Sequence, residues 1–128
     1  MQTPEELRYS AEHEWVRVDG DTATVGITDF AQDALGDIVF VQVPDTGDDV
    51  IAGASISEIE STKSVSDIYA PVSGTVVETN EALQDSPELI NQDPYGQGWI
   101  MRIRLVDAAQ VDALLDAAEY RSLTEAEQ

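Results

Sequence analysis

Lys63 is the single lysine of a 128-residue chain whose other basic side chains are all arginine: Arg8, Arg17, Arg102, Arg104 and Arg121. It sits in Glu58-Ile59-Glu60-Ser61-Thr62-Lys63-Ser64-Val65-Ser66-Asp67-Ile68-Tyr69, where two strand-like stretches flank small polar residues. That pattern puts the ammonium at or near an exposed hairpin tip, in water and clear of the sheet. The turn lacks Asn-Gly or Asp-Gly, so its type is not legible. A solvated lysine, or a charge guarding an edge strand against aggregation, would account for one such residue. Neither explains why lysine is kept at this turn and nowhere else. The two basic side chains differ in one relevant way: an amine forms an amide, whereas a guanidinium does not readily do so. The chemistry open to Lys63 is therefore acylation.

Other reactive types are scarce. The chain has no cysteine, which excludes disulfides, thiolate metal sites and a cysteine nucleophile. His13 is the only histidine, so a histidine metal cluster or a serine–histidine triad is poorly supplied. Beside Trp15, in what reads as a strand, His13 is better taken as packed or hydrogen-bonded than as a base. Trp15 and Trp99 read as core or edge packing, and Gly47, Gly74 and Gly96 as turn residues. There is no glycine-rich phosphate loop and no metal-ligand spacing. A group for demanding chemistry would have to be brought in from outside.

Twenty-six acids face six bases, for a formal charge of −20 at pH 7. Such a chain repels phosphate backbones and anionic bilayers, so no nucleic-acid or membrane partner is expected. The acids fall in every segment, which reads as adaptation to a high-salt cytoplasm, where screening relieves self-repulsion. The longest apolar run, Ile38 to Val41, is far too short to span a bilayer. Met1 to Leu7 has neither the basic nor the apolar stretch of a signal or transit peptide. A cytoplasmic, non-catalytic monomer is expected. With 42% hydrophobic residues spread along its length, the chain should form one domain over residues 1–128.

The elements that must position Lys63 are mostly strands. Glu14–Val18 and Thr22–Ile27 alternate about Asp19-Gly20-Asp21, a hairpin signature. Thr28 should cap a short helix ending at Gly36-Asp37. Strands are expected at Ile38–Val43, Ala54–Glu60, Ser66–Ala70, Thr75–Thr79 and Trp99–Leu105. A short helix should start at Ser86-Pro87-Glu88, Asp93-Pro94-Tyr95-Gly96 should turn, and Asp107 should cap a helix over about 108–120. The core is expected over about 7–106. Gly36-Asp37-Ile38-Val39 and Gly74-Thr75-Val76-Val77 echo one another faintly, as two similar halves would. The fold class is mainly β, a sandwich or flattened barrel with a terminal helix.

The chain also resembles the glycine cleavage system H-protein family. The resemblance rests on His13-Glu14-Trp15; on Gly26-Ile27-Thr28-Asp29-Phe30-Ala31-Gln32 with Leu35-Gly36-Asp37-Ile38-Val39; and on Glu60 through Gly74 around Lys63. It continues through Pro87-Glu88-Leu89-Ile90-Asn91 and Asp93-Pro94-Tyr95-Gly96-Gln97-Gly98-Trp99, spanning about residues 7 to 120 in order. It implies a lipoyl/biotinyl-type barrel-sandwich hybrid of two antiparallel sheets, with short helices and a C-terminal helix. It further implies lipoate bound to Lys63 as N6-lipoyl-lysine. The partners implied are a pyridoxal-phosphate glycine decarboxylase, a tetrahydrofolate-dependent aminomethyltransferase, dihydrolipoyl dehydrogenase, and a lipoate ligase or lipoyl/octanoyl transferase. By the same resemblance Glu60 is the acid recognised during lipoylation, and Glu14 and Asp67 are contacts for a cationic aminomethyl group. The chain departs from the family at Glu12, where a small polar residue is common, and at Thr62 and Ser64, where apolar neighbours are commoner. An H-like protein relaying lipoate to 2-oxoacid dehydrogenases would use the same lysine. A biotinyl carrier is disfavoured, because such domains usually flank their lysine with methionine.

Overall fold

In the computed structural model, which describes residues 1–127, nine strands form two antiparallel sheets. The larger sheet runs β1-β2-β3-β9-β8-β5, from β1 (Arg8–Tyr9), β2 (Glu14–Asp19), β3 (Thr22–Ile27), β9 (Met101–Leu105), β8 (Gly74–Thr79) and β5 (Asp49–Val50). The smaller runs β4-β6-β7, from β4 (Ile38–Gln42), β6 (Ser55–Ser61) and β7 (Val65–Tyr69). This is the lipoyl-type barrel-sandwich expected from the sequence. The strands expected around Lys63 and in the first hairpin form with shifts of about one residue. The pairs β1 and β5 are too short to announce themselves.

Alternation decides what is buried. Val16, Val25, Ile27, Val41, Ile59, Ile68, Val76 and Ile103 point between the sheets and form one core. A second cluster, Leu7, Tyr9, Trp15, Tyr95, Ala117 and Tyr120, lies where the C-terminal segment covers β1 and β2. Trp15 is core, and its indole lies over Gly26, its cross-strand partner. A Cβ on Gly26 would meet that ring at 2.7 Å, so glycine is required there. Trp99 is half-buried beneath the Arg102 guanidinium, 4.2 Å from its ring centre.

Helix α1 (Asp29–Leu35) is capped as expected, with Thr28 accepting from the Ala31 N–H at 3.2 Å. Three features differ from expectation. The helix after Ser86 is α3 (Leu89–Gln92), with Ser86 accepting only through its carbonyl. An unforeseen turn of helix, α2 (Ala82–Asp85), precedes it. The helix expected over 108–120 is two: α4 (Ala109–Asp112) and α5 (Ala117–Glu127). Leu115 leaves the helical path to exchange both backbone hydrogen bonds with Tyr9, each at 2.8 Å. Asp116 then starts α5 in a reciprocal cap with Glu119, at 2.8 and 3.0 Å. Asp116-Ala117-Ala118-Glu119 was the legible signal for that restart. The two echoing stretches, residues 36–39 and 74–77, lead into β4 and β8, which open in different sheets. Among the described residues no helix is long and apolar enough to cross a membrane.

Candidate functional site

Lys63 is exposed in the turn between β6 and β7, where the sequence expects it. Ser61 builds that turn. Its hydroxyl accepts from the N–H groups of Lys63 and Ser64, each at 3.1 Å, and its N–H donates to the Ser64 carbonyl at 2.8 Å. Thr62 N–H donates to the Asp37 carbonyl at 3.0 Å, tying the tip to the start of β4. The Lys63 stem therefore lies along Gly36, where a Cβ would stand 3.3 Å from Cε. Gly36 has φ of +86°, which glycine tolerates and other residues rarely adopt.

One residue before Gly36, Leu35 lines a cleft of about 220 Å³. Its apolar walls are Ile27, Phe30, Ala31, Leu35, Ile59 and Ile68, and Glu12, Glu14, Ser66 and Asp67 also line it. Glu12 and Asp67 are exposed at the rim, while Glu14 is 1% exposed. Ser10 Oγ donates to Glu14 Oε1 at 2.6 Å and the Tyr69 N–H approaches Oε2 at 3.4 Å. Burial nonetheless dominates: it pushes the Glu14 carboxyl up to about 7, against the lowering by those two donors, and the Glu12 charge adds to the rise. A carboxyl raised by burial beside an apolar cleft suits a cationic guest.

His13 is not in the strand. It has φ of +74° in the turn before β2, a conformation in which histidine is enriched among non-glycine residues. It is hydrogen-bonded, as expected: Nδ1 lies 2.7 Å from Tyr120 Oη and Nε2 lies 2.9 Å from a Glu127 oxygen. Its ring is 5.0 Å from Phe30 and both line the cleft. Glu14 and Asp67 both line the cleft beside Lys63, but register pairs Asp67 with Glu58 on the outer sheet face, where Glu60 also stands, opposite Phe40 and Val65. Ser10, Phe30 and Leu35 were not singled out from the sequence. Phe30 and Leu35 stood within the blocks carrying the resemblance. Ser10 gave no signal, because its contact depends on the His13 turn. Among the described residues no cluster could hold a metal ion.

A lysine at a hairpin tip of a two-sheet barrel-sandwich defines the lipoyl-type carrier domains, non-catalytic subunits on which other enzymes act. Comparison with known proteins narrows the class. A sequence profile of the glycine cleavage H-protein matches residues 7–127. A glycine cleavage system H protein of Mycobacterium avium is 59% identical over 128 aligned positions, covering 95% of this chain and 97% of its own. One from Staphylococcus carnosus is 54% identical, covering 96% and 98%. The crystal structure of a glycine cleavage system H protein from Mycobacterium marinum superposes with a TM-score of 0.88 at 45% identity, covering 95% of this chain and 98% of that one. The chain belongs to the glycine cleavage H-protein family, and its role is that of the lipoyl carrier in glycine cleavage.

Proposed function

We propose that Lys63 is the lipoyl attachment point and that the cleft beside it shelters the loaded arm. In this reading the protein carries an aminomethyl group from a pyridoxal-phosphate glycine decarboxylase to a tetrahydrofolate-dependent aminomethyltransferase, and dihydrolipoyl dehydrogenase resets it. A lipoate ligase or lipoyl/octanoyl transferase installs the group. Lipoate, when bound, supplies a disulfide that accepts the aminomethyl group and is regenerated from the dithiol at the end of the cycle.

The observation that carries this reading is the pairing of apolar walls with a buried acid, starting one residue from the glycine that the Lys63 stem crosses. The chemistry of the cleft fits an apolar chain ending in a cation. Ile27, Phe30, Leu35 and Ile59 take the chain out of water. Glu14, ionised by an incoming ammonium, pairs with it where water is excluded. Glu12 adds negative charge beside Glu14, and Asp67, on the outer face of β7, adds to the field from the outer side of the sheet. Glu60, outside the cleft, is left to the installing enzyme. Acylation removes the lysine charge and takes the formal total from −20 to −21.

Peptide mass spectrometry on protein from its native cells tests the attachment. A lipoyl or octanoyl group on Lys63, absent from Lys63→Arg, is the expected result. A bare lysine that stays bare with a lipoate ligase would overturn it, and a biotinyl group would move the chain to another carrier class. NMR relaxation tests the cleft: the arm should be mobile when unloaded and ordered when loaded. Equal mobility in the two states would rule sheltering out.

A further inference from the structure

The outer face of the three-stranded sheet holds an apolar patch that the cleft does not use. Register places Phe40, Glu60 and Val65 in one row across β4, β6 and β7, and Gln42, Glu58 and Asp67 in the next. All six are exposed, while Val41, Ile59 and Ile68 between them point into the core. Val39 extends the patch: it is 52% exposed, Phe40 47% and Val65 60%.

This exposure is built in. Strict alternation from buried Ile38 would send Phe40 inward. A register shift between Ile38 and Phe40 instead leaves two consecutive large apolar residues outside, then returns Val41 to the core. Bulges of this kind re-aim side chains beside functional sites. Burying Phe40 would have been favourable, so its outward placement calls for a reason elsewhere.

Charge and position select the occupant. Glu58, Glu60 and Asp67 make no ion pair among the described residues. A second copy of a chain with formal charge −20 would set these acids against themselves. The occupant is therefore a protein with an apolar socket rimmed by basic side chains. A partner working at the far end of a long arm can stand off from the sheet. An enzyme that builds the amide on Nζ cannot, because the hairpin itself must enter its mouth.

Resting on Lys63 as the attachment point, we infer that Phe40, Val65 and Val39 are the apolar anchors by which the lysine-acylating enzyme grips this protein, on either side of Glu60. With an acyl adenylate as donor, Nζ bonds to the acyl carbon and the acyl–phosphate bond breaks. AMP leaves with the electron pair, and the lysine ammonium releases two protons.

The test uses the unmodified full chain, a purified lipoate–protein ligase, lipoate and ATP, read by intact mass against protein concentration. Phe40→Ala and Val65→Ala should each raise KM about tenfold, as truncation of interface anchors does, with kcat little changed. Phe40→Leu should restore most of the loss. Ile51→Ala and Val106→Ala, both 71% exposed but outside this sheet, are controls and should match wild type. Thermal melts compare only variants that stay folded. Because Val65→Ala and Phe40→Leu are mild, at least one informative variant survives. Wild-type KM in Phe40→Ala and Val65→Ala, with wild-type protein acylated at Lys63, would overturn the anchors and leave the attachment reading intact. No acylation of wild type would overturn both. An equal rise in KM in the control variants would also overturn the anchors.

Discussion

Glu14 shows how one residue's meaning depends on its surroundings. Free in water its carboxyl would titrate near 4.5, and burial beside Glu12 moves it to about 7. A folded-state value above the unfolded one means the native state is relieved of this burden below about pH 4.5, and bears it fully above about pH 7. In Glu14→Gln the burden is gone. The variant should therefore gain stability over wild type as pH rises from 4.5 to 7, by on the order of 3 kcal/mol for the 2.5-unit shift. Urea unfolding of the two proteins across that range would measure it, and a constant difference would contradict the buried acid. A second consequence concerns binding: a cation entering the cleft should release a proton near neutral pH. The sequence singled out Glu14 only through resemblance. The fact that makes it useful, 1% exposure within an apolar cleft, depends on strands and a helix distant in the chain.

Elements hold the site in place through their ends. Helix α1 forms one wall of the cleft, and Thr28 caps it while hydrogen-bonding Tyr120 of α5 at 2.6 Å. Tyr120 in turn holds His13, so the C-terminal helix braces the turn that presents Glu14. Asp116→Ala removes the reciprocal cap of α5 and should cost about 1 kcal/mol. Circular dichroism during thermal unfolding would record it as a lower Tm. The effect should reach the cleft as faster amide exchange at His13 and Glu14. At the other end of α1, Gly36→Ala places a β-carbon at φ of +86° and 3.3 Å from Lys63 Cε. The Lys63 stem can move aside, so the cost should come from the backbone, which at φ +86° and ψ −159° lies in a region almost confined to glycine, about 1–3 kcal/mol. The same melt would read it, and an unchanged Tm would mean that the turn tolerates a side chain. Thr28 was legible as a cap because its signal is local. The break between α4 and α5 showed only its restart in the sequence, at Asp116 and Glu119; its cause did not, because the competing partner of Leu115 is Tyr9, more than one hundred residues away.

Across the molecule, charge sets the conditions for folding. The described residues form three ion pairs, His13–Glu127, Arg102–Glu78 and Arg121–Glu5, so nearly all of the 26 acids are unpaired. Their mutual repulsion should weaken as salt shortens the Debye length from about 10 Å at 0.1 M to about 3 Å at 1 M. Raising potassium chloride over that range should raise the midpoint of urea unfolding, and sodium chloride should act alike if screening is the cause. A midpoint already maximal at low salt would count against adaptation to a salty interior. The same repulsion favours basic partners over self-association, in keeping with the acids of the outer sheet face.

The residues themselves determined that chemistry had to be borrowed, since there is no cysteine, one histidine and one acylatable amine. They also determined a β-rich fold with a polar tip at Lys63, because alternation and turn composition are local and follow from the geometry of a pleated strand. The order of the motifs carried the family resemblance. Tertiary structure alone decided where each of the marked acids lies. Glu14 of β2 is buried against the cleft, whereas Glu60 and Asp67 both lie on the outer face of the smaller sheet by the register of β6 and β7. It alone turned Phe40 outward, since a register shift depends on how two strands pair rather than on either one's composition. Burial and pairing are properties of the assembled sheets, and no single stretch of the chain contains them.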